Sequence, residues 1–182
     1  MSAPEPQPLV INEWSIFAHD LFLSQVEELL TQVENLRLKY PQDYHKKNAT
    51  KRLAAIAKLA FDVIPQDPTL PVYRQGATLG DDYKHWFLAQ FFQQYRLLGA
   101  PTWTGNPSVA HPLFFRFHQE SRIIVYAWVN DEDTKRAYDS NTDAYLVFKK
   151  MLARGYPPDD WDELLTAAKG EIDRMDRVNL EM

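Results

Sequence analysis

With 182 residues, 45% of them hydrophobic and 13% aromatic, the chain is long enough for one packed domain and too apolar for general disorder. The absence of cysteine excludes disulfides, thiolate metal sites and a thiol nucleophile, and fits a reducing cytoplasm. The net charge of −5 lies at the ends: residues 1–40 hold 2 basic and 6 acidic side chains, 161–182 hold 3 and 6, and the middle holds 15 and 13, so a polyanionic partner is compatible with the middle alone.

In chain order, the Pro-rich opening predicts a mobile tail over residues 1–10, and "VINEWSIFAH" a short extended segment. No apolar run is long enough for a membrane span, and the opening lacks the basic and apolar regions of a signal peptide, so a cytoplasmic protein is expected. From Asp20, the residues Phe22, Val26, Leu29, Leu30, Val33 and Leu36 recur at three- and four-residue intervals and predict a helix to about Tyr40, with Ser24 and Glu27 at capping-box spacing. A second helix is expected over about 43–64, with Leu53, Ile56, Ala60 and Ile64 on one face and Lys47, Lys51 and Lys58 on the other. A short connection makes the two an antiparallel hairpin. Residues 82–98 fit two patterns: a helix face of Phe87, Phe91, Tyr95 and Leu98, or a strand from Trp86 to Phe92.

"RIIVYAWV", residues 122–129, predicts a central strand from its β-branched and aromatic content. "TDAYLVFKKMLARG" predicts a helix capped by Thr142 and stopped at Gly155. A last helix is expected from Asp159 or Asp160, with Trp161, Leu164, Leu165, Ala168 and Ile172 on one side, and residues 177–182 form a second tail. One domain spans 11–176. Two amphipathic helices followed by one strong strand imply an α+β domain with an antiparallel sheet.

The chain has no phosphate-binding loop, dinucleotide fingerprint, HExxH motif or nucleophile elbow, and its five histidines lack ligand-like spacing, so neither a metal nor a cofactor is expected. What stands out is a set of cations and a tyrosine around the expected sheet: Arg74, Lys84, Arg96, Arg116, Arg136 and Tyr138. Cleaving RNA through its own 2′-hydroxyl needs a proton acceptor, a proton donor and cations around the phosphorane; Arg and Tyr on a sheet supply the last two. Lys47 and Lys51, in "HKKNATKR", offer phosphate contacts of the kind basic helices make. Both groups read equally as ordinary solvated faces, and both readings stay open on composition alone.

"WSIFAH", "DYHKKNATKRLAAI", "YRQGATLG", "WVNDEDTKRAY" and "TDAYLVFKKMLARGYPPDDW" resemble the YhaV family of bacterial type II toxin–antitoxin toxins, in nearly the family order from residue 14 to 161. The resemblance implies a RelE-like endoribonuclease. Its fold would be a helical hairpin packed on a twisted antiparallel sheet with C-terminal helices, its substrate mRNA, cut without metal and typically at the ribosome, and its partner an AbrB-like swapped-hairpin antitoxin. Carried over, Arg96 in "YRL" supports the scissile phosphate with Arg116, Tyr138 stands near the end of the last strand region, and Arg136, Asp131, Glu132 and Lys84 are neighbours. A segment of about 98–112, holding Gly99, Pro101, Gly105, Pro107 and Pro112, reads as an insertion that splits Arg96 from Arg116. Leu88 and Gln90 stand where the family pattern is basic. The resemblance therefore allows two readings: an active, weakened ribonuclease toxin, or a catalytically silent relative that binds antitoxin or RNA.

Overall fold

A computed structural model describes residues 3–75, 79–92, 110–130 and 144–182. Within them, β1 (Leu9–Ile11), β2 (Trp14–Ala18), β3 (Phe87–Phe92), β4 (Ala110–His118) and β5 (Ile123–Val129) form one sheet in the order β1-β2-β5-β4-β3. The strand expected at the centre is there: every side chain of β5 from Ile124 to Val129 is buried. The all-antiparallel expectation is corrected at one pair, because β2 runs parallel to β5 from Ser15↔Ile123 to Ala18↔Tyr126. The physical reason lies in the connection. A parallel neighbour needs a crossover rather than a tight turn, and the chain leaves β2 directly into helices before it returns.

β3 pairs antiparallel with β4 from Phe87↔Phe115 to Phe92↔Ala110, which settles residues 87–92 as strand; residues 93–98 lie outside the described residues. β4 begins at Ala110, so Pro112, expected at the end of the insertion, sits inside a strand. Its carbonyl accepts from the Asn130 amide at 3.0 Å.

Helix α1 (Asp20–Lys39) is capped by His19, whose Nδ1 accepts from the Leu21 amide at 3.1 Å. Ser24, with its capping-box spacing, instead lies inside the helix and donates to Asp20 Oδ1. Helix α2 covers Asn48–Lys58 and then widens into a π turn over Leu59–Val63. There Ile64 N–H donates to Leu59 O, and the next widened bond, to Ala60 O, would need an N–H that Pro65 lacks. The fully buried Tyr126 hydroxyl takes that place and donates to Ala60 O at 2.5 Å, while burial pushes its own ionisation well up. Polar groups of both helices also reach the end of β5: Gln25 donates to Val129 O and accepts from Val129 N, and Arg52 donates to Asn130 O.

Helix α3 (Ala144–Ala153) lies beyond Thr142, which falls outside the described residues. It ends as expected at Gly155: φ is +80°, Gly155 N–H donates to Leu152 O and Tyr156 N–H to Met151 O, a double closure that favours glycine. Asp160 caps α4 (Trp161–Lys169) by accepting from the Glu163 amide. The single last helix is corrected to two, since the chain breaks near Gly170 and resumes as α5 (Ile172–Glu181). Both expected tails also shrink: β1 begins at Leu9, and α5 carries Val178, 2% exposed, into the core.

Helices cover both faces of the sheet. Phe22, Val26, Leu53, Ile56 and Met175 from α1, α2 and α5 pack with Ile124 and Tyr126, whereas Val147, Phe148, Met151 and Leu164 from α3 and α4 pack with Val125, Ala127 and Trp128. Strict alternation would send Trp128 to the same face as Tyr126. The ladder instead steps from Phe115↔Tyr126 to Phe114↔Trp128, leaving Ala127 as an extra residue, and the bulge turns Trp128 over. There it stacks with Phe114 and Phe148, whose ring centroids lie 4.1 Å apart. No helix among the described residues is long and apolar enough to cross a membrane.

Candidate functional site

Two groups of sequence-predicted cations meet near the start of β3, and they differ in what holds them. Arg116, on β4, points into the layer between the sheet and α4. Its guanidinium carbon lies 5.6 Å from the Trp86 ring centre and 5.2 Å from that of Trp161, and Nη1 donates to Asp159 O at 2.6 Å. Burial pulls its ionisation below the ordinary value, opposed by Asp159 and Asp160; an arginine there stays charged, and the indole faces answer part of the lost hydration.

Asp159 ties this cluster together. Its Oδ1 accepts from Trp86 Nε1 at 2.8 Å and pairs with His85 Nε2 at 2.6 Å, while its carbonyl holds Arg116. On the far side His118 stacks on Trp161, with centroids 5.9 Å apart. Sequence reasoning passed over Asp159, His85, Trp86 and Trp161 as site residues. The available signal was two short polar–aromatic runs, "HW" and "DDW", each placing a carboxylate or imidazole beside an indole.

The second group stands at the outer edge of β3. Arg74 forms an isolated antiparallel bridge with Phe87, and Arg74, Gln75, Lys84 and Phe87 line a cavity of about 310 Å³. Arg74 and Lys84 are exposed, and Lys84 Nζ pairs with Asp81 at 3.2 Å in a solvated ion pair. Gln75 is buried and holds the rim, accepting from Leu79 N–H and donating to the carbonyls of Gly80 and Tyr83. Gly80 turns there with φ +90°, a conformation that a Cβ would strain.

Lys47 and Lys51 do not line this cavity. Lys47 precedes α2 without a side-chain capping bond and its Nζ lies 4.4 Å from the Tyr40 ring centre, and Lys51 is exposed. Arg96, Asp131, Glu132, Arg136 and Tyr138 lie outside the described residues. Leu88, where a basic residue was expected, is 4% exposed within the aromatic core, and Gln90 donates to the Tyr145 hydroxyl at 2.8 Å. Among the described residues, no three His, Asp or Glu side chains gather as metal ligands do.

A sequence profile described as a toxin with endonuclease activity, of a toxin–antitoxin system, matches residues 16–99 and 108–169 of the chain. The chain is 38% identical over 159 residues to the "Ribonuclease toxin YhaV" of Escherichia coli K12, covering 86% of this chain and 93% of that protein. It is similar to the same extent to proteins named "Toxin YhaV" from Escherichia coli O157:H7 and from strain CFT073. No solved structure matches the chain.

Proposed function

The chain belongs to the YhaV toxin family and is an endoribonuclease toxin of a toxin–antitoxin system, and we propose that it cuts mRNA at the ribosome by attack of the RNA's own 2′-hydroxyl, without a metal ion. The observation that carries this reading is the 38% identity to a ribonuclease toxin across nearly the whole of both chains. The exposed Arg74 and Lys84 beside β3 support it, because a protein that cuts RNA needs positive charge to hold a polyanionic backbone.

In this reading Arg96 holds the scissile phosphate, and Tyr138, with Asp131 and Arg136 beside it, handles protons and charge. Arg116 is a positioning residue: its guanidinium lies between two indoles and donates to a main-chain carbonyl, so it fixes the end of β4 against α4 rather than reaching for a phosphate. Lys84, Arg74, Lys47 and Lys51 steer and hold the RNA backbone. The two N-terminal helices packed on one sheet face support a RelE-like hairpin-on-sheet architecture, and the interruption of the family match at 100–107 supports an insertion between β3 and β4. The partner is an AbrB-like swapped-hairpin antitoxin and the compartment the cytoplasm.

The test incubates the purified full chain with mRNA on ribosomes in magnesium buffer, and with free RNA in the presence of a chelator. Cleavage on ribosomes is expected to leave 2′,3′-cyclic phosphate ends, and Arg96→Ala to lower it by about 100-fold, as loss of one transition-state donor does. Products ending in 3′-hydroxyls overturn the proposed chemistry, and free RNA cut as fast as ribosome-bound mRNA overturns the ribosomal site.

A further inference from the structure

We propose that the cavity at the outer edge of β3 binds one unstacked nucleotide of single-stranded RNA, with the phosphate on Arg74 and Lys84 and the base against Phe87. This rests on the ribonuclease reading and adds a specific contact to it.

Phe87 supplies the aromatic lining of the cavity. Phe87 is half-buried, and its ring is backed by Phe117, centroids 4.6 Å apart, and by Phe115 at 6.0 Å. Tyr73 in turn meets Phe115 edge-on at 5.6 Å. A ring wedged in this way keeps its orientation, so a base that stacks on it does not first have to order it. Base stacking on fixed aromatic side chains is the sequence-tolerant element of single-strand recognition.

The rim supplies the complementary charge. Arg74 leaves the short helical turn Pro71–Tyr73 in extended conformation and pairs its backbone with Phe87, which sets its side chain at the cavity. Its guanidinium has no hydrogen-bond or ion-pair partner among the described residues. Lys84 does have one, but its pair with Asp81 is open to solvent at both side chains, and such a pair yields readily to a phosphate. Asp81 and Asp82 on the same turn oppose an anion, so the site favours a ligand that adds an apolar contact to its charge over a bare anion.

The cavity is also held in shape. Gln75 uses its amide on Leu79, Gly80 and Tyr83 and thereby fixes the turn that carries Lys84. At about 310 Å³ the space is at the small end of ligand cavities, which suits one base with its sugar rather than a folded segment. A free phosphate would use only the rim.

The test is fluorescence anisotropy of the full chain with a labelled single-stranded RNA whose 2′-hydroxyls are methylated, so that it is bound but not cut. The double substitution Arg74→Ala with Lys84→Ala is expected to weaken binding at least ten-fold and to flatten the dependence of log affinity on log salt by about 0.7, for the one phosphate charge no longer neutralised. Phe87→Leu, which keeps apolar packing, is expected to weaken binding with the salt slope unchanged. A nucleoside monophosphate should compete at far lower concentration than inorganic phosphate; equal competition would mean that the rim alone is used and would overturn the base contact. Wild-type protein that fails to hold the oligonucleotide, or a folded double variant with wild-type affinity and slope, overturns the proposal. Cleavage assays on unmodified RNA separate the two readings. A double variant that cuts with unchanged KM sinks the nucleotide site and leaves the ribonuclease standing, whereas a wild-type chain that never cuts sinks the ribonuclease while anisotropy still reports on the cavity.

Discussion

Arg74 and Arg116 flank the same strand pair, one on each side of the Phe87↔Phe115 step, yet one is held on three sides and the other is open. Arg116 lies inside a packed layer. A charge taken out of water there must be met by oriented partners, and two indoles and a carbonyl meet most of it, with Nε buried and without a hydrogen bond among the described residues. Arg74 lies at the sheet edge, where water does that work and no protein group needs to. The difference teaches that an arginine in the layer is part of the fold's own bonding, while an arginine at the rim remains available to a ligand.

The hardest way to break the comparison is to force a new cation into the layer. Leu88→Arg, the charge that the resemblance puts at that position, is expected to destabilise the protein by about 3–5 kcal/mol, because Leu88 is buried within an aromatic-rich core. Thermal unfolding checks it. A variant as stable as the parent would show that this layer accommodates a guanidinium at more than one point.

Next in size is the removal of the charge already there. Arg116→Ala is expected to cost about 2–3 kcal/mol by removing two cation–π interactions and one charge-assisted hydrogen bond, lowering Tm by roughly 5–10 °C in a chain of this length. Arg74→Ala should move Tm hardly at all. If the two substitutions shift Tm equally, the division between layer and rim is wrong.

These expectations also show how far the sequence was legible. The central strand, the glycine stop after α3 and the start of α4 at Asp159 or Asp160 were readable because each depends on local chemistry: β-branched content, a left-handed residue, a carboxylate before a helix. The direction of β2 against β5 was not, since it follows from where the chain returns after α1 and α2 and leaves no local mark. Nor was the burial of Leu88, because a strand covered by helices on both faces no longer alternates between wet and dry. The two runs of the Asp159 cluster were visible but their pairing was not, for a third reason: His85 and Asp159 are separated by 74 residues, and only folding brings the imidazole to that carboxylate. Arg74 and Lys84, named for their charge alone, do share a cavity.

A smaller effect tests a buried titratable group outside that layer through pH. His19 is 2% exposed, packed against the Tyr156 ring, and burial holds its ionisation below the ordinary 6.5 although Asp20 and Glu171 pull the other way. Its Nδ1 must also stay unprotonated to cap α1. Below about pH 6.5 the unfolded chain therefore binds a proton that the folded chain resists, and stability falls with pH over that window. Asp20, held low first by the Tyr156 hydroxyl and then by Arg174, loses its contribution only below 3.8, so the two windows separate. His19→Asn, a capping residue that does not titrate, is expected to reduce the loss of Tm between about pH 7 and about pH 5.5. An unchanged loss would place the sensitivity elsewhere.

The smallest expected change in stability lies at the rim, where Asp81 pairs with Lys84. Asp81→Asn keeps the side-chain shape and removes the charge. Both partners are solvated, and exposed pairs of this kind contribute about 0–1 kcal/mol, so Tm should move by no more than about 4 °C. Binding should respond in the opposite sense to stability. Freed from its carboxylate, Lys84 no longer has to exchange one anion for another, and the local field at the Arg74 cavity becomes more positive by one unit. RNA affinity should therefore rise by a few-fold at low salt, and the gain should fade as salt screens it, since the site lies within a Debye length of the removed charge. Alanine at Lys84 should cancel the gain. If Asp81→Asn instead lowers both Tm and affinity, the ion pair is holding the turn that Gln75 anchors, and the rim belongs with Arg116 among the groups that keep the fold.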